Sequence, residues 1–257
     1  MFINEQSIRN SWQAFERAVS RLLIHKGYSS VRLVGQTADK GADVIAKNPA
    51  GRRCVIQVKH WKKKLGLDVV DETLKALEVY RAEQPIIVAL AGFEQAVHDC
   101  QPELMSRGIS LQLWDAAYLM KQAANLEDGY PYGDPSAIYD KRDYQQDAIG
   151  LLVMALLSPD QHRALMVLAT GLGKTYVAAE SLRRAAGSKP LRVLSLAHTN
   201  DIVYQLERSF WPFLKASDET LVWNGYEPQT MDSLERAPFV FASRQTAAEW
   251  VQSGGEL

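Results

Sequence analysis

The chain has 257 residues, 47% of them apolar and 23% charged, with a formal net charge of −1. These are ordinary globular values with room for two domains, each able to bury its own core. The near-zero charge excludes a global basic field, so any affinity for nucleic acid falls to local patches such as Lys62, Lys63 and Lys64. Cys54 and Cys100 make no disulfide framework and suit a reducing cytoplasm. The opening MFINEQSIRN does not read as a signal peptide, and the longest apolar run, Ala148 to Leu157, is too short to span a bilayer. The expectation is a soluble cytoplasmic protein.

In chain order, a first helix is predicted from Ser7 to Lys26, stopped by Gly27, with Trp12, Phe15, Val19, Leu22 and Leu23 as its apolar stripe. Glu16 falls in or beside that stripe, where a carboxylate needs a partner. A salt bridge with Arg17 or Lys40, or exposure at the stripe edge, would satisfy it. Gly41 to Lys64 reads as two strands joined by an Asn48-Pro49-Ala50-Gly51 turn. Side chains alternate faces along a strand, so Gln57 and Lys59 point the same way, and a hairpin turning about Ala50 sets Asp43 opposite Gln57. An acid, an amide oxygen and a lysine then share one edge, which suits a divalent metal with a cation beside it. The plain alternative is an Asp43–Lys59 salt bridge across the hairpin.

A helix follows from Leu67 to Gln84, with Asp68 at its cap and Val69, Leu77 and Tyr80 inward. Pro85 to Ala91 reads as a buried strand, Glu94 to Arg107 as a helix ended by Gly108, and Ile109 to Trp114 as a further strand. The order is that of an α/β layer fold. From Lys121 to Pro135 periodicity lapses, and the domains divide as 1–120, a linker 121–137, and 138–257. The second domain starts near Ile138. Arg163 to Ala169 is predicted as a buried strand, followed by the loop Ala169-Thr170-Gly171-Leu172-Gly173-Lys174-Thr175 and a helix to Ala186. A strand, a glycine loop and a helix N-terminus suit phosphate binding: Lys174 reaches the β/γ-phosphates and Thr175 offers its hydroxyl to magnesium.

The run Phe15-Glu16, Gly27-Tyr28, Gly41-Ala42-Asp43, Gln57-Val58-Lys59, lysine cluster and Trp114-Asp115 resembles the PD-(D/E)XK nucleases in their Mrr-like variant, over roughly the first 115 residues. The resemblance implies a restriction-endonuclease-like mixed sheet flanked by helices. It also implies magnesium or manganese held by Glu16, Asp43, the Gln57 amide oxygen and the Val58 carbonyl. Lys59 would orient or help deprotonate the attacking water, and Lys62, Lys63 and Lys64 would neutralise flanking phosphates. Gln57, in place of a carboxylate, removes one negative charge from that cage. His60 and Trp61 are expected to be structural or phosphate-adjacent.

The second half resembles superfamily 2 helicases of the type III restriction subunit kind over residues 139 to 249. The resemblance rests on ATGLGKT, with Leu168 where the general phosphate-loop pattern asks for glycine, and on Tyr144-Gln145 as an adenine-reading pair. It rests also on Leu194 to Gln205, with His198, Thr199 and Gln205, and on Phe241 to Thr246, with Gln245, as strand-gripping motifs. It implies ATP with magnesium at Tyr144, Gln145, Thr170, Gly171, Leu172, Gly173, Lys174 and Thr175. Taken singly, Gln145 reads as a helix-surface residue, His198 and Thr199 as a cap, and Gln245 as a loop residue.

No Asp-Glu box follows Gln245, so the expected fold is an incomplete RecA-like P-loop α/β domain whose ATP hydrolysis and translocation are negligible on their own. The leading expectation is a DNA endonuclease joined to a helicase-type module in restriction or anti-phage defence. It would act on double-stranded DNA, as a homodimer or with further subunits. A non-cleaving DNA- and ATP-binding module and a nucleotide switch compete with it.

Overall fold

The computed structural model describes residues 2–34, 41–135, 142–161, 163–187 and 191–255. Lys40 and Ile138, both invoked above, lie outside them. The chain divides into two units, Met1–Glu127 and Asp128–Leu257.

In the first unit the leading helix is two helices, α1 (Glu5–Arg9) and α2 (Trp12–His25). The break has a local cause: Ser11 is extended and its hydroxyl accepts from the Ala14 N–H at 2.9 Å, starting a new helix. Phe15, Val19, Leu22 and Leu23 are fully buried, whereas Trp12 is exposed and lies off the expected stripe. Gly27 ends α2 at φ +79°. Strands β1 (Ser29–Leu33), β2 (Val44–Lys47) and β3 (Arg53–Lys59) run antiparallel in turn. The turn between β2 and β3 is held by Asn48, whose Oδ1 accepts from the N–H groups of Ala50 and Arg52 at 3.0 Å each.

Helix α3 (Leu67–Tyr80) stops short of Gln84, because Arg81 turns left-handed; its N-cap is Gly66, and Asp68 lies in the first turn rather than at the cap. Strand β4 (Gln84–Ala89) then pairs parallel to β3, and β5 (Gln112–Asp115) parallel to β4, giving the order β1-β2-β3-β4-β5. The stretch 94–107 is two short helices, α4 (Gln95–Asp99) and α5 (Gln101–Ser106). Pro102 sits at the start of the second, where its missing N–H and fixed φ suit a new first turn rather than a helix interior. Ile86, Ile87 and Val88 are buried on both faces of β4; α3 to α5 cover the face that holds Ile87, and α2 packs on β1 and β3.

Helix α6 (Ala116–Ala124), capped by Asp115 accepting from Tyr118 N–H at 2.7 Å, continues past Lys121, where periodicity was expected to lapse. Residues 128–134 make defined contacts within the second unit. Ser217 N–H donates to Asp128 Oδ1 at 3.0 Å, Arg183 pairs with Asp134 at 3.7 Å, and Arg183 lies over the Tyr130 ring at 5.5 Å.

The second unit holds α7 (Asp143–Leu157), α8 (Lys174–Ala186), β6 (Val193–Ala197), α9 (Asn200–Phe210), β7 (Thr220–Trp223), α10 (Met231–Arg236), β8 (Phe239–Ser243) and α11 (Arg244–Gln252). Its sheet is wholly parallel with order β6-β8-β7. The buried strand expected at 163–169 is not there: these residues are in no strand, and Leu165 and Val167 are 90% and 81% exposed. A strand buried on both faces needs ladder partners, and each strand of the described sheet pairs within the set β6, β8 and β7. Glu180 is fully buried in α8 and is neutralised by Arg183 and Arg184, at 2.7 and 2.8 Å.

Candidate active site

The antiparallel register Val44↔Ile56, Ile45↔Val55 runs on to Asp43 beside Gln57, as the turn about Ala50 requires. Asp43 is fastened on three sides. Its N–H donates to Ile56 O at 3.0 Å, its carbonyl accepts from Val34 N–H at 2.8 Å, and its Oδ2 accepts from Val58 N–H at 2.7 Å. The carboxylate is therefore fixed at the end of the hairpin, over the Gln57–Val58 peptide. The chain reaches Asp43 through a close pass against α3 at Gly41. Its φ is +74°, and a Cβ there would lie 2.6 Å from the carbonyl oxygen of Glu72 in α3.

Gln57 is buried at the centre of β3, with Oε1 2.5 Å from Thr73 Oγ1. The same hydroxyl lies 2.7 Å from Val69 O, and one hydroxyl carries one proton. Two arrangements answer this. The hydroxyl donates to Gln57, whose oxygen keeps a second lone pair; or it donates to Val69 and accepts from Gln57 Nε2, which turns Oε1 away from Thr73. In the first the acceptor left for a cation is the second lone pair of an Oε1 beside Thr73; in the second Oε1 stands at the far end of the amide. Lys59 lies two residues along on the same face, and its Nζ pairs with Glu72 at 3.3 Å, not with Asp43. The salt bridge on which the non-cleaving alternative relied is thus replaced by one to α3.

Glu16, half-buried on α2, completes the group. Its pKa is pushed up to about 8, first by burial, then by the negative charge of Asp43, with Arg17 opposing. The charge of Arg17 thus favours the ionised form without cancelling burial and the repulsion from Asp43. Phe15 ties α2 to the end of β3 through the His60 ring, with centroids 5.6 Å apart. Burial lowers the His60 pKa, a hydrogen bond to the Ile8 backbone opposes this, and Lys62 adds to the lowering. Its Nε2 is buried without a partner among the described residues.

Among the described residues no three His, Cys, Asp or Glu side chains gather as a metal cluster. The donors here are two carboxylates, one amide and main chain. Such an all-oxygen set fits a hard divalent cation, and the mutual repulsion of Glu16 and Asp43 is what a cation relieves. Thr73 and Glu72 escaped the sequence reading. The signal for Thr73 was a polar residue on the buried Val69, Val70, Thr73, Ala76, Leu77 stripe of α3.

In the second unit the glycine loop and helix stand as expected, with Gly171 and Gly173 at φ +82° and +85° and α8 starting at Lys174. Lys174 Nζ is turned onto the loop, donating to Leu168 O at 2.8 Å and Ala169 O at 3.2 Å. Tyr144 Oη and Gln145 Nε2 both donate to Leu172 O, at 3.3 and 3.0 Å. Thr170 and Thr175 flank these groups at the loop and the first turn of α8. Ala197 and Ser243 are register partners on adjacent parallel strands. His198 and Thr199 thus emerge beside Gln245 at the carboxyl ends of β6 and β8, where ligands of α/β sheets bind. Thr199 caps α9, accepting from Ile202 N–H at 3.4 Å, and Gln245 Nε2 donates to Glu249 at 2.9 Å. Gln205 is exposed on α9.

A mixed sheet flanked by helices with this topology is restriction-endonuclease-like, and the parallel unit that follows is helicase-like. The families are specific: residues 8–122 match the Mrr-type restriction endonuclease family, and residues 138–253 match the res subunit of type III restriction enzymes. The chain is an Mrr-type restriction endonuclease domain fused to a ResIII helicase-like domain.

The Type I restriction enzyme EcoAI endonuclease subunit of Escherichia coli is 31% identical over 192 residues, covering 68% of this chain and 23% of that protein. This chain therefore spans less than a quarter of that relative's length. Two solved structures are more remote. The ATP-dependent Type ISP restriction-modification enzyme LlaBIII bound to DNA is 17% identical, covers 95% of this chain and 18% of its own, and has a TM-score of 0.37. AF1548, a protein of unknown function, is 18% identical, covers 69% of this chain and all of its own, and has a TM-score of 0.34. Among the described residues no helix is long and apolar enough to cross a membrane.

Proposed function

We propose that the first unit is a metal-dependent endonuclease acting on DNA and that the second is its ATP-binding module, in restriction or anti-phage defence. The observation that carries this is Asp43 at the end of the hairpin, bonded to Val58 N–H between Gln57 and Lys59 and close enough to Glu16 of α2 for its charge to raise the Glu16 pKa. Glu16, Asp43, the Gln57 amide oxygen and the Val58 carbonyl would hold magnesium or manganese. Val58 turns its N–H towards Asp43, and along a strand the carbonyl of the same residue points to that same side. A divalent cation there supplies charge neutralisation at the scissile phosphate and a more acidic water.

Lys59, released from Glu72 by the incoming phosphate, orients that water and meets the charge on the phosphate oxygens. Lys62, Lys63 and Lys64, all exposed, hold flanking phosphates and make binding salt-sensitive. In the second unit ATP would draw Lys174 off its own loop carbonyls towards the β/γ-phosphates, with Thr175 at the associated magnesium. Tyr144 and Gln145, already bonded to Leu172 of the loop, would read the base. His198, Thr199, Gln205 and Gln245 would line the path of a nucleic-acid strand.

The test is cleavage of methylated and unmethylated plasmid by the purified chain with magnesium or manganese, beside Asp43→Ala and Lys59→Ala. Metal-dependent nicking or cutting by the wild type, lost in both variants, is the expected result. Cutting that survives Asp43→Ala sinks the assignment.

A further inference from the structure

The catalytic face does not account for Trp61. Four consecutive residues, Trp61 to Lys64, are exposed just beyond β3, and Trp61 is 44% exposed. Two ammonium groups lie near its ring: Lys59 Nζ 5.7 Å and Lys63 Nζ 5.3 Å from the centroid. The loop is pinned at both ends. Lys59 O accepts from Leu90 N–H at 3.1 Å; past the loop, Leu65 N–H donates to Gly92 O at 3.0 Å and Glu94 N–H donates to Leu65 O at 2.9 Å. A flat apolar surface is thus presented at a fixed place, with two ammonium groups over it within about 6 Å of the ring centre, one of them the lysine assigned to the scissile phosphate.

A ligand matching both features is planar with an anionic group about one residue away. A nucleotide meets this description: its base covers the indole while its phosphate answers the lysines. An acidic peptide would use the lysines and leave the ring uncovered. Bases in an intact duplex have their faces covered by their neighbours, so only an unpaired or unstacked base can lie on Trp61.

We propose that Trp61 stacks on an unpaired base beside the phosphate held at Lys59, so that the nuclease unit selects single-stranded or locally opened DNA over intact duplex. This rests on the nuclease reading for the position of the phosphate.

The test is fluorescence anisotropy with the full chain in EDTA, using labelled single-stranded, duplex and centrally bulged duplex oligonucleotides with wild type, Trp61→Ala and Trp61→Phe. Trp61→Ala should weaken binding to the single-stranded and bulged probes by about five- to 150-fold and leave duplex binding unchanged. Trp61→Phe, which keeps an aromatic face, should retain most of the wild-type preference. Equal loss on all three probes overturns the proposal, since the indole would then only hold the lysine loop. No loss on any probe overturns it as well. Because EDTA removes cleavage from the readout, the expected binding pattern with no metal-dependent cutting would sink the nuclease reading and leave stacking standing. Cutting without the pattern would do the reverse.

Discussion

Replacing Glu16 with glutamine should remove a pH-dependent loss of stability from the first unit. The Glu16 carboxyl is raised from 4.5 to about 8, so between those values the folded chain holds a proton that the unfolded chain has lost. Stability must therefore be greatest below 4.5, fall as pH rises through the window, and level off above about 8. Each pH unit within the window costs about 1.4 kcal/mol. Over the whole window this reaches on the order of 3–5 kcal/mol once partial exposure to solvent screens the charge. Glu16→Gln keeps the shape and cannot ionise, so its curve should lack the slope and lie above the wild type by that amount at pH 9. The assay is urea unfolding of the full chain at a series of pH values, read by hydrogen–deuterium exchange of the β3 peptides so that the first unit is followed separately. Magnesium should flatten the wild-type curve, because a cation favours the ionised pair, and should move the variant less. Parallel curves for wild type and variant across the range would refute the assignment of the strain to Glu16.

Gly41→Ala should destabilise the first unit more than Gly51→Ala. Both have positive φ, but only at Gly41 does a Cβ meet backbone, at 2.6 Å from Glu72 O; thermal melts should show about 1–3 kcal/mol for left-handed strain at each, with a further loss at Gly41. Thr73→Val removes the hydroxyl that satisfies the buried Gln57 amide, costing about 1–3 kcal/mol in urea unfolding, and should weaken magnesium binding measured by calorimetry. Lys174→Ala should abolish binding of a fluorescent ATP analogue while leaving metal-dependent cleavage by the first unit intact.

The hairpin was legible because its information is local. An Asn-Pro-Ala-Gly turn sets the register, and register alone sets Asp43 against Gln57. Glu16 was harder, since its proximity to Asp43 depends on how α2 docks, and helical periodicity placed it only at a stripe edge. Glu72 and Thr73 were out of reach for a related reason: they approach β3 from a helix whose face is decided by tertiary packing. The breaks at Ser11 and Pro102 carried local signals, a side-chain cap and a proline at a first turn, that long apolar periodicities masked. The segment 163–169 shows the opposite failure. Its β-forming character is real, but a strand exists only with neighbours, and composition along one stretch says nothing of who those neighbours are.

The contact between Thr73 and Gln57 has a consequence for how such a site changes over time. A carboxylate offers the same atom at both ends and needs no steering. An amide has one donating and one accepting end, and which end faces the cation is decided by the bonding at the other. At this site that decision falls to a single hydroxyl proton on α3, outside the hairpin motif. Substitution at position 73 can therefore reverse the polarity that Gln57 presents without altering any residue of the Gln-x-Lys signature. A glutamine-type site thus depends on its helix in a way that a glutamate-type site does not.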